Sequence, residues 1–391
     1  QAGAAGLKAV CIEKEHMGGV CLNEGCIPTK TFLNSAKIFR HANEGKIYGV
    51  KAENISLDHA AVVQRKNAVV KRLVTGVERS VKGNGVAIVR AEARIKGKSG
   101  NLYQVEAGGE LFEGKNLIIA TGSSPLIPPI PGVKEALASG FAVTNRELLQ
   151  LTELPESLVI IGGGVIGLEF ASYFSTAGTD VTVIEMLDHL AGTMDTELSS
   201  LVRKKLEDAG VKFMLSTKVT QITENGVCWE NGNGKGEVKA ALALVSVGRR
   251  ANIDGLGLEN IGVMVERNAI VTNEKMQTNI PGVYAAGDVN GKLTLAHTAY
   301  REAAVAINSI LGKRDRMRYE AVPQVIYTDP EVASVGMSEA DAKKAGMETR
   351  TIKLDANYSG RFMAENEGGA GMIKIVTEKS SGRILGMQVC A

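Results

Sequence analysis

The sequence predicts an α/β protein in which parallel strands alternate with helices, followed by a smaller antiparallel α+β unit that is incomplete at its end. Three observations predict it. Residues 158–178, LVIIGGGVIGLEFASYFSTAG, read as a buried strand, a glycine turn and a helix. Residues 5–14 (AGLKAVCIEK) and 177–186 (AGTDVTVIEM) repeat one pattern, an Ala-Gly, a β-branched run and a Glu seven positions after the Gly. From Val322 onward, short runs alternate apolar and polar residues around one helical stretch.

Size and composition bound the rest. The chain has 391 residues, 44% of them hydrophobic, with 45 glycines and a formal charge of +2. This is a globular, turn-rich composition with no basic field for nucleic acid. The longest apolar run, SLVIIGGGVIGL, is too short and glycine-rich to span a bilayer. Five cysteines do not make a secreted disulfide framework, so a reducing, cytosol-like compartment is expected. No signal peptide is read at the start, which lacks a basic region and a cleavage site.

The glycine turn carries Gly162, Gly164 and Gly167 in G-x-G-x-x-G spacing between a strand and a helix, and Glu185 ends the next strand. That is the pattern of a Rossmann-like dinucleotide unit: glycines let the backbone approach a pyrophosphate at the helix N-terminus, and the carboxylate accepts from a ribose hydroxyl pair. Glu185 would repel a 2′-phosphate, and the following MLDHL offers no Arg or Lys to receive one, so NAD is favoured over NADP. By the same register the first repeat should have its third glycine about five positions before Gln1, with Glu13 as its strand-end carboxylate. The chain is therefore expected to be truncated, opening inside the helix of a first dinucleotide unit.

Further strand-to-turn stops fall at 116–125 (NLIIATGSSP), at 242–256 around Gly248, and at 281–290 (PGVYAAGDVN). Residues 37–94 read mostly as helix with charged faces and structural work only.

The segment GGVCLNEGCIPTK, residues 18–30, sets Cys21 and Cys26 five apart. On a regular helix such residues rise ~7.5 Å and diverge, beyond the ~4.4–6.8 Å Cα spacing of a disulfide. A bridge needs a distorted turn, for which Gly25 and Pro28 are suited, and strained bridges are the reducible ones. Zinc would need two more nearby ligands, and Cys11, Cys228 and Cys390 are scattered. Two inert buried thiols are a second alternative, and a redox-active pair is the favoured one. Cys11, Cys228 and Cys390 are expected to be buried, inert thiols.

GGVCLNEGCIPTK, ATGSSP, IGGGVIGLEF, VTVIEMLD, VSVGRRANIDGLGLENIGV, YAAGDV, LAHTAYREA and VPQVIYTDPEVASVG follow one another in the order found in flavin-linked pyridine-nucleotide disulfide oxidoreductases. The chain resembles that family over essentially its whole length, and the cysteine motif is specific. The resemblance implies an FAD-binding domain at 1–146, an NAD-binding domain at 147–269, a central FAD-binding part at 270–319 and an interface domain at 320–391. It implies FAD held by Glu13, Lys30, Ala91, Thr121, Gly122, Asp288 and Ala296, and NAD held by Gly162, Gly164, Gly167, Glu185, Val219 and Gly248. It places the Cys26 thiolate next to the flavin, Cys21 outward to exchange with substrate, and Lys30 beside the flavin paired with Glu169.

The activity implied is oxidation of dihydrolipoamide to lipoamide with NAD+ as acceptor, through a Cys21–Cys26 disulfide. The partners implied are a lipoyl-bearing protein, a second copy of the chain in a homodimer, and a 2-oxoacid dehydrogenase or glycine cleavage complex. The location implied is cytoplasmic, or the mitochondrial matrix in a eukaryote. Glutathione reductase is disfavoured by Glu185, mercuric reductase remains an alternative, a flavin-only oxidase or transhydrogenase is disfavoured by the cysteines, and a non-catalytic scaffold subunit is the alternative of a different class. The family's base, His-Pro-x-x-x-Glu, is expected beyond Ala391, so this fragment alone is expected to lack turnover. His297 and Glu302 share its spacing but are read as a helix start and a solvated face. His16, His41, His59 and His189 are read as surface residues.

Overall fold

The computed structural model describes residues 1–391. The chain forms two compact units, each assembled from three stretches: 1–27, 68–124 and 249–319 in the first, and 28–67, 125–248 and 320–391 in the second.

In the first unit, Val10–Glu13 pairs in parallel with Ala87–Arg90, and Leu117–Ile119 pairs in parallel with Val283–Ala285. Ala93–Ser99, Leu102–Ala107 and Glu110–Gly114 form an antiparallel meander. Ile95, Tyr103, Ile119, Ile270, Val283 and Val289 make its core. The stretch read as mostly helical is helix to Glu44 and again over His59–Gly83, after which the chain turns at Gly85 (φ +72°) into two strands. The β-branched pair in AIVR and the alternation in ARIK are the signal for them.

In the second unit a five-stranded parallel sheet has the order Lys212–Met214, Asp180–Ile184, Ser157–Ile161, Leu242–Val245, Ala142–Val143. Its central strands are unbroken apolar runs because both faces are covered. Strand order reverses between Ser157–Ile161 and Leu242–Val245, which puts a ligand crevice at their carboxyl ends. Residues 320–391 fold as the expected α+β element, an antiparallel sheet in the order Gln324–Ile326, Val332–Gly336, Ile384–Cys390, Met372–Glu378, Thr349–Asp355. No helix is long and apolar enough to cross a membrane.

Two polar residues read as exposed lie in the core. His59 is buried, its Nδ1 2.7 Å from the Tyr173 hydroxyl and its ring edge-on to Phe32. Burial pushes the imidazole below its usual value and the Tyr173 phenol well above its own. Glu302 is fully buried on the helix Ala296–Ile310, where Thr298, Glu302 and Val305 share the inner face.

Candidate active site

The thiols come first. Gly19–Glu24 is one helix and Cys26–Glu44 the next, with Gly25 between them at φ −133°, ψ −115°. The distorted turn that the spacing called for is therefore present. Its closure is tight: a Cβ on Gly25 would stand 3.0 Å from the Val20 carbonyl oxygen and 3.1 Å from the Cys21 Cα. Folding the chain back in this way brings Cys21 and Cys26 close, and both are partly buried. Cys26 opens its helix, where the partial positive charge of the N-terminus stabilises negative charge. Of the remaining cysteines, Cys390 is fully buried, which pushes its thiol up to about 11, while Cys11 and Cys228 are half-buried.

Lys30 follows Cys26 by four residues in the same helix. Its ammonium is 2.7 and 2.9 Å from the two Glu169 oxygens, and Glu169 is 4% exposed. The Tyr327 backbone N–H donates to the same carboxylate at 3.1 Å, and the Tyr327 ring lies 4.4 Å from the Lys30 Nζ. A buried carboxylate is tolerated only with such partners, so Glu169 fixes where the Lys30 charge stands. Tyr327 was missed in the sequence because its bond is made by the backbone.

The glycine turn of the second unit fits a dinucleotide pyrophosphate. A Cβ at Gly162 (φ +105°) would collide with the Ser246 carbonyl oxygen, and one at Gly167 with that of Gly162. Gly164 caps the helix Val165–Thr176 and has open space where its Cβ would be, leaving the helix N-terminus accessible to a phosphate. Glu185 accepts the Gly163 N–H at 2.6 Å on Oε2 and the Leu187 N–H at 2.8 Å on Oε1. Gly248 (φ +125°) follows the neighbouring strand, so Gly162 and Gly248 border the same crevice. Val219 packs in the apolar cluster with Ile161, Ile184 and Val245.

The first unit gathers its own set at strand carboxyl ends. Glu13 closes its strand, its carboxylate accepts the Glu15 N–H at 2.8 Å, and its carbonyl accepts the Ala91 N–H at 3.2 Å. Thr121, Gly122 and Ser123 follow Leu117–Ile119, and Asp288 follows the paired strand Val283–Ala285. The Ser123 hydroxyl donates to Asp288 at 2.5 Å, while Arg249 Nε donates to that hydroxyl at 2.7 Å. Buried Glu302 accepts the Gly287 N–H and the Tyr319 hydroxyl, each at 2.6 Å, and so holds the turn that presents Asp288. Ala296 is the first residue of the Glu302 helix. Carboxylate acceptors at two strand ends, Glu13 and Asp288, with the Thr121 and Ser123 hydroxyls at a third, suit the ribose and ribityl hydroxyls of a flavin dinucleotide, and the residues fit FAD. No cluster of His, Cys, Asp and Glu is arranged to hold a metal ion.

Two nucleotide-type crevices and a close thiol pair define a disulfide oxidoreductase. The pyridine nucleotide-disulphide oxidoreductase family matches residues 1–303, its dimerisation domain matches residues 322–391, and the chain belongs to this family. Family members use FAD and NAD(H). A dihydrolipoyl dehydrogenase of Mycoplasma pneumoniae is 37% identical over 396 residues, covering all of this chain and 85% of the relative. One of Acholeplasma laidlawii is 45% identical over 307 residues, 78% of this chain and 90% of the relative. Among solved structures, LpdA of Mycobacterium tuberculosis superposes with a TM-score of 0.88 at 25% identity, covering 100% of this chain and 86% of that one. The HOCl-induced flavoprotein disulfide reductase RclA of Escherichia coli, as its Cu(II) complex, gives 0.85 at 26% identity, covering 99% and 85%.

Proposed function

We propose that the protein oxidises dihydrolipoamide carried on a lipoyl-bearing protein to lipoamide, reducing NAD+. The close Cys21–Cys26 pair folded around Gly25 carries this reading. One substrate thiolate attacks the Cys21 sulfur, the Cys21–Cys26 bond breaks, and Cys26 leaves as a thiolate. The second substrate sulfur then attacks the first, forming the lipoamide disulfide and releasing Cys21. Bound FAD supplies the two-electron relay by which Cys26 returns to the disulfide and NAD+ becomes NADH. In sum, dihydrolipoamide and NAD+ give lipoamide, NADH and one proton. Lys30, held by Glu169, supplies a fixed positive charge for negative charge that develops at the flavin.

Residues 1–146 and 270–319 are assigned to FAD, 147–269 to NAD and 320–391 to subunit contact, with Glu13, Ala91, Thr121, Gly122, Asp288 and Ala296 on FAD and Gly162, Gly164, Gly167, Glu185, Val219 and Gly248 on NAD. The matched dimerisation domain supports a homodimer and the relatives' name supports a 2-oxoacid dehydrogenase complex as partner; a glycine cleavage complex and a location in the cytoplasm or the mitochondrial matrix belong to the same proposal.

Anaerobic NADH added to the full-length, FAD-loaded protein should raise a long-wavelength thiolate–flavin absorption band. Cys26→Ser should abolish that band and lower dihydrolipoamide turnover by at least ~10³-fold. A wild-type protein with bound flavin but no band leaves the scaffold alternative standing, and turnover of mercuric ion or glutathione disulfide in place of lipoamide would select the other family chemistries.

A further inference from the structure

The C-terminal antiparallel sheet carries a row of polar residues across three strands, Lys374 and Gln388 buried and Lys353 half-exposed at its edge. Lys353, Lys374 and Gln388 face one another in register on adjacent strands, and Lys374 is 4% exposed. Two cations directly across a strand pair repel, and a buried ammonium needs a counterion. Both are answered by the first turn of the helix Thr196–Asp208. Asp195, itself 6% exposed, holds Lys374 at 2.7 Å, and Glu197 holds Lys353 at 2.5 Å. Glu197 and Glu339 stand 3.8 and 3.7 Å from Lys374 as a second rank. Asp195 does two things at once: Oδ2 takes the lysine, and Oδ1 accepts the Glu197 N–H that caps the helix.

The helix so anchored ends the loop that begins at Glu185. That loop is tied at several points to the dinucleotide turn. The Ala191 N–H donates to the Gly163 carbonyl at 2.9 Å, and the Gly163 N–H donates back to Glu185. Leu190 packs so closely on Gly163 that a Cβ there would stand 2.6 Å from it. The Ser199 hydroxyl, one turn into the helix, accepts the Leu190 N–H and donates to its carbonyl, at 3.2 and 3.0 Å. Whatever displaces the start of the helix therefore displaces both the ribose carboxylate and the phosphate turn.

We propose that Lys374 is a positioning residue for the nicotinamide dinucleotide: through Asp195 it holds the 186–195 loop, and with it Glu185 and Gly163, in binding geometry. This rests on assigning the Gly162–Gly167 turn to NAD. The C-terminal element thus does more than offer a surface for a second subunit; it completes the NAD site from behind.

Lys374→Met keeps the length of the side chain and removes its charge. Calorimetric NADH titration of the full-length, FAD-loaded variant should give a dissociation constant raised on the order of tenfold, with the NAD+ KM raised alike. The rate at which dihydrolipoamide reduces the bound flavin, read anaerobically without NAD+, should stay within about twofold of wild type. Lys374→Arg should restore NADH affinity. If Lys374→Met does not fold, Asp195→Asn serves, because asparagine still caps a helix while losing the charge. An unchanged NADH dissociation constant overturns the inference, and so does a parallel loss of flavin reduction by dithiol, which would mark a general structural role. A wild-type protein that binds NADH but is not reduced by dihydrolipoamide refutes the proposed substrate alone, leaving the NADH titrations to decide this inference. A wild-type protein that does not bind NADH refutes both.

Discussion

Glu13 and Glu185 end the two copies of the internal repeat, and each carboxylate accepts the backbone N–H two residues on, at 2.8 Å in both cases. The repeat seen in the letters is thus a repeat in atoms. Each carboxylate keeps a second oxygen. In Glu185 it takes the Gly163 N–H of the glycine turn, so ribose and phosphate positions are mechanically joined. In the first unit the Glu13 main-chain carbonyl accepts the Ala91 N–H, as that of Glu185 accepts the Thr217 N–H, and the turn bearing Asp288 is held by Glu302. Glu185 thus pins two subsites of the second unit to each other, while in the first unit Glu302 pins the turn that carries Asp288.

The largest expected effect comes from Gly167→Ala, whose new Cβ would meet the Gly162 carbonyl oxygen in backbone that has nowhere to go. NADH affinity should fall by ~10²-fold and stability by about 1–3 kcal/mol, measured by titration and denaturant unfolding, while flavin content is retained. Loss of flavin as well would show that the two units are not independent. A smaller effect is expected from the paired changes Glu185→Ala and Glu13→Ala. Each should weaken only its own dinucleotide by roughly tenfold, the worth of one hydrogen bond to a charged group. FAD retention and NAD+ KM, measured on both variants, check the separation, and crossed effects would break the comparison.

The smallest concerns the loop after Glu185. Asp188 hydrogen-bonds His189 at 2.5 Å and raises its pKa above the usual 6.5. A raised histidine contributes stability that is full below pH 6.5 and is lost as pH rises through its folded value. An NMR titration should place the His189 midpoint above 6.5, and Asp188→Asn should bring it back down; an unmoved midpoint would remove Asp188 as the cause.

Much of this was legible in the residues. The glycine spacing, the strand-end carboxylates and the thiol turn are local, and each depends on neighbours within a few positions of the chain. Glu302, His59 and Lys66 were not read as core, because their polar character was weighed above their position. Yet Thr298, Glu302 and Val305 step at i, i+4, i+7, and His59, Val62, Val63 and Lys66 at i, i+3, i+4, i+7, which is the spacing of a buried helix face. Lys66 meets only Gln150 there, at 3.1 Å, and burial lowers its pKa to about 8. Lys374 likewise alternates with buried Val376 in MIKIVTE, so its burial could have been read, but Asp195 could not. A counterion 179 positions away leaves no trace in local pattern.

The lysine row of the last sheet has a bearing on how the chain is made. Strands carrying Lys353 and Lys374, brought together alone, would set like charges side by side, with Lys374 in a dry place. Asp195 and Glu197 leave the ribosome well before either lysine does. Vectorial synthesis therefore delivers the anions first, and the sheet emerges onto a docking surface already able to neutralise it.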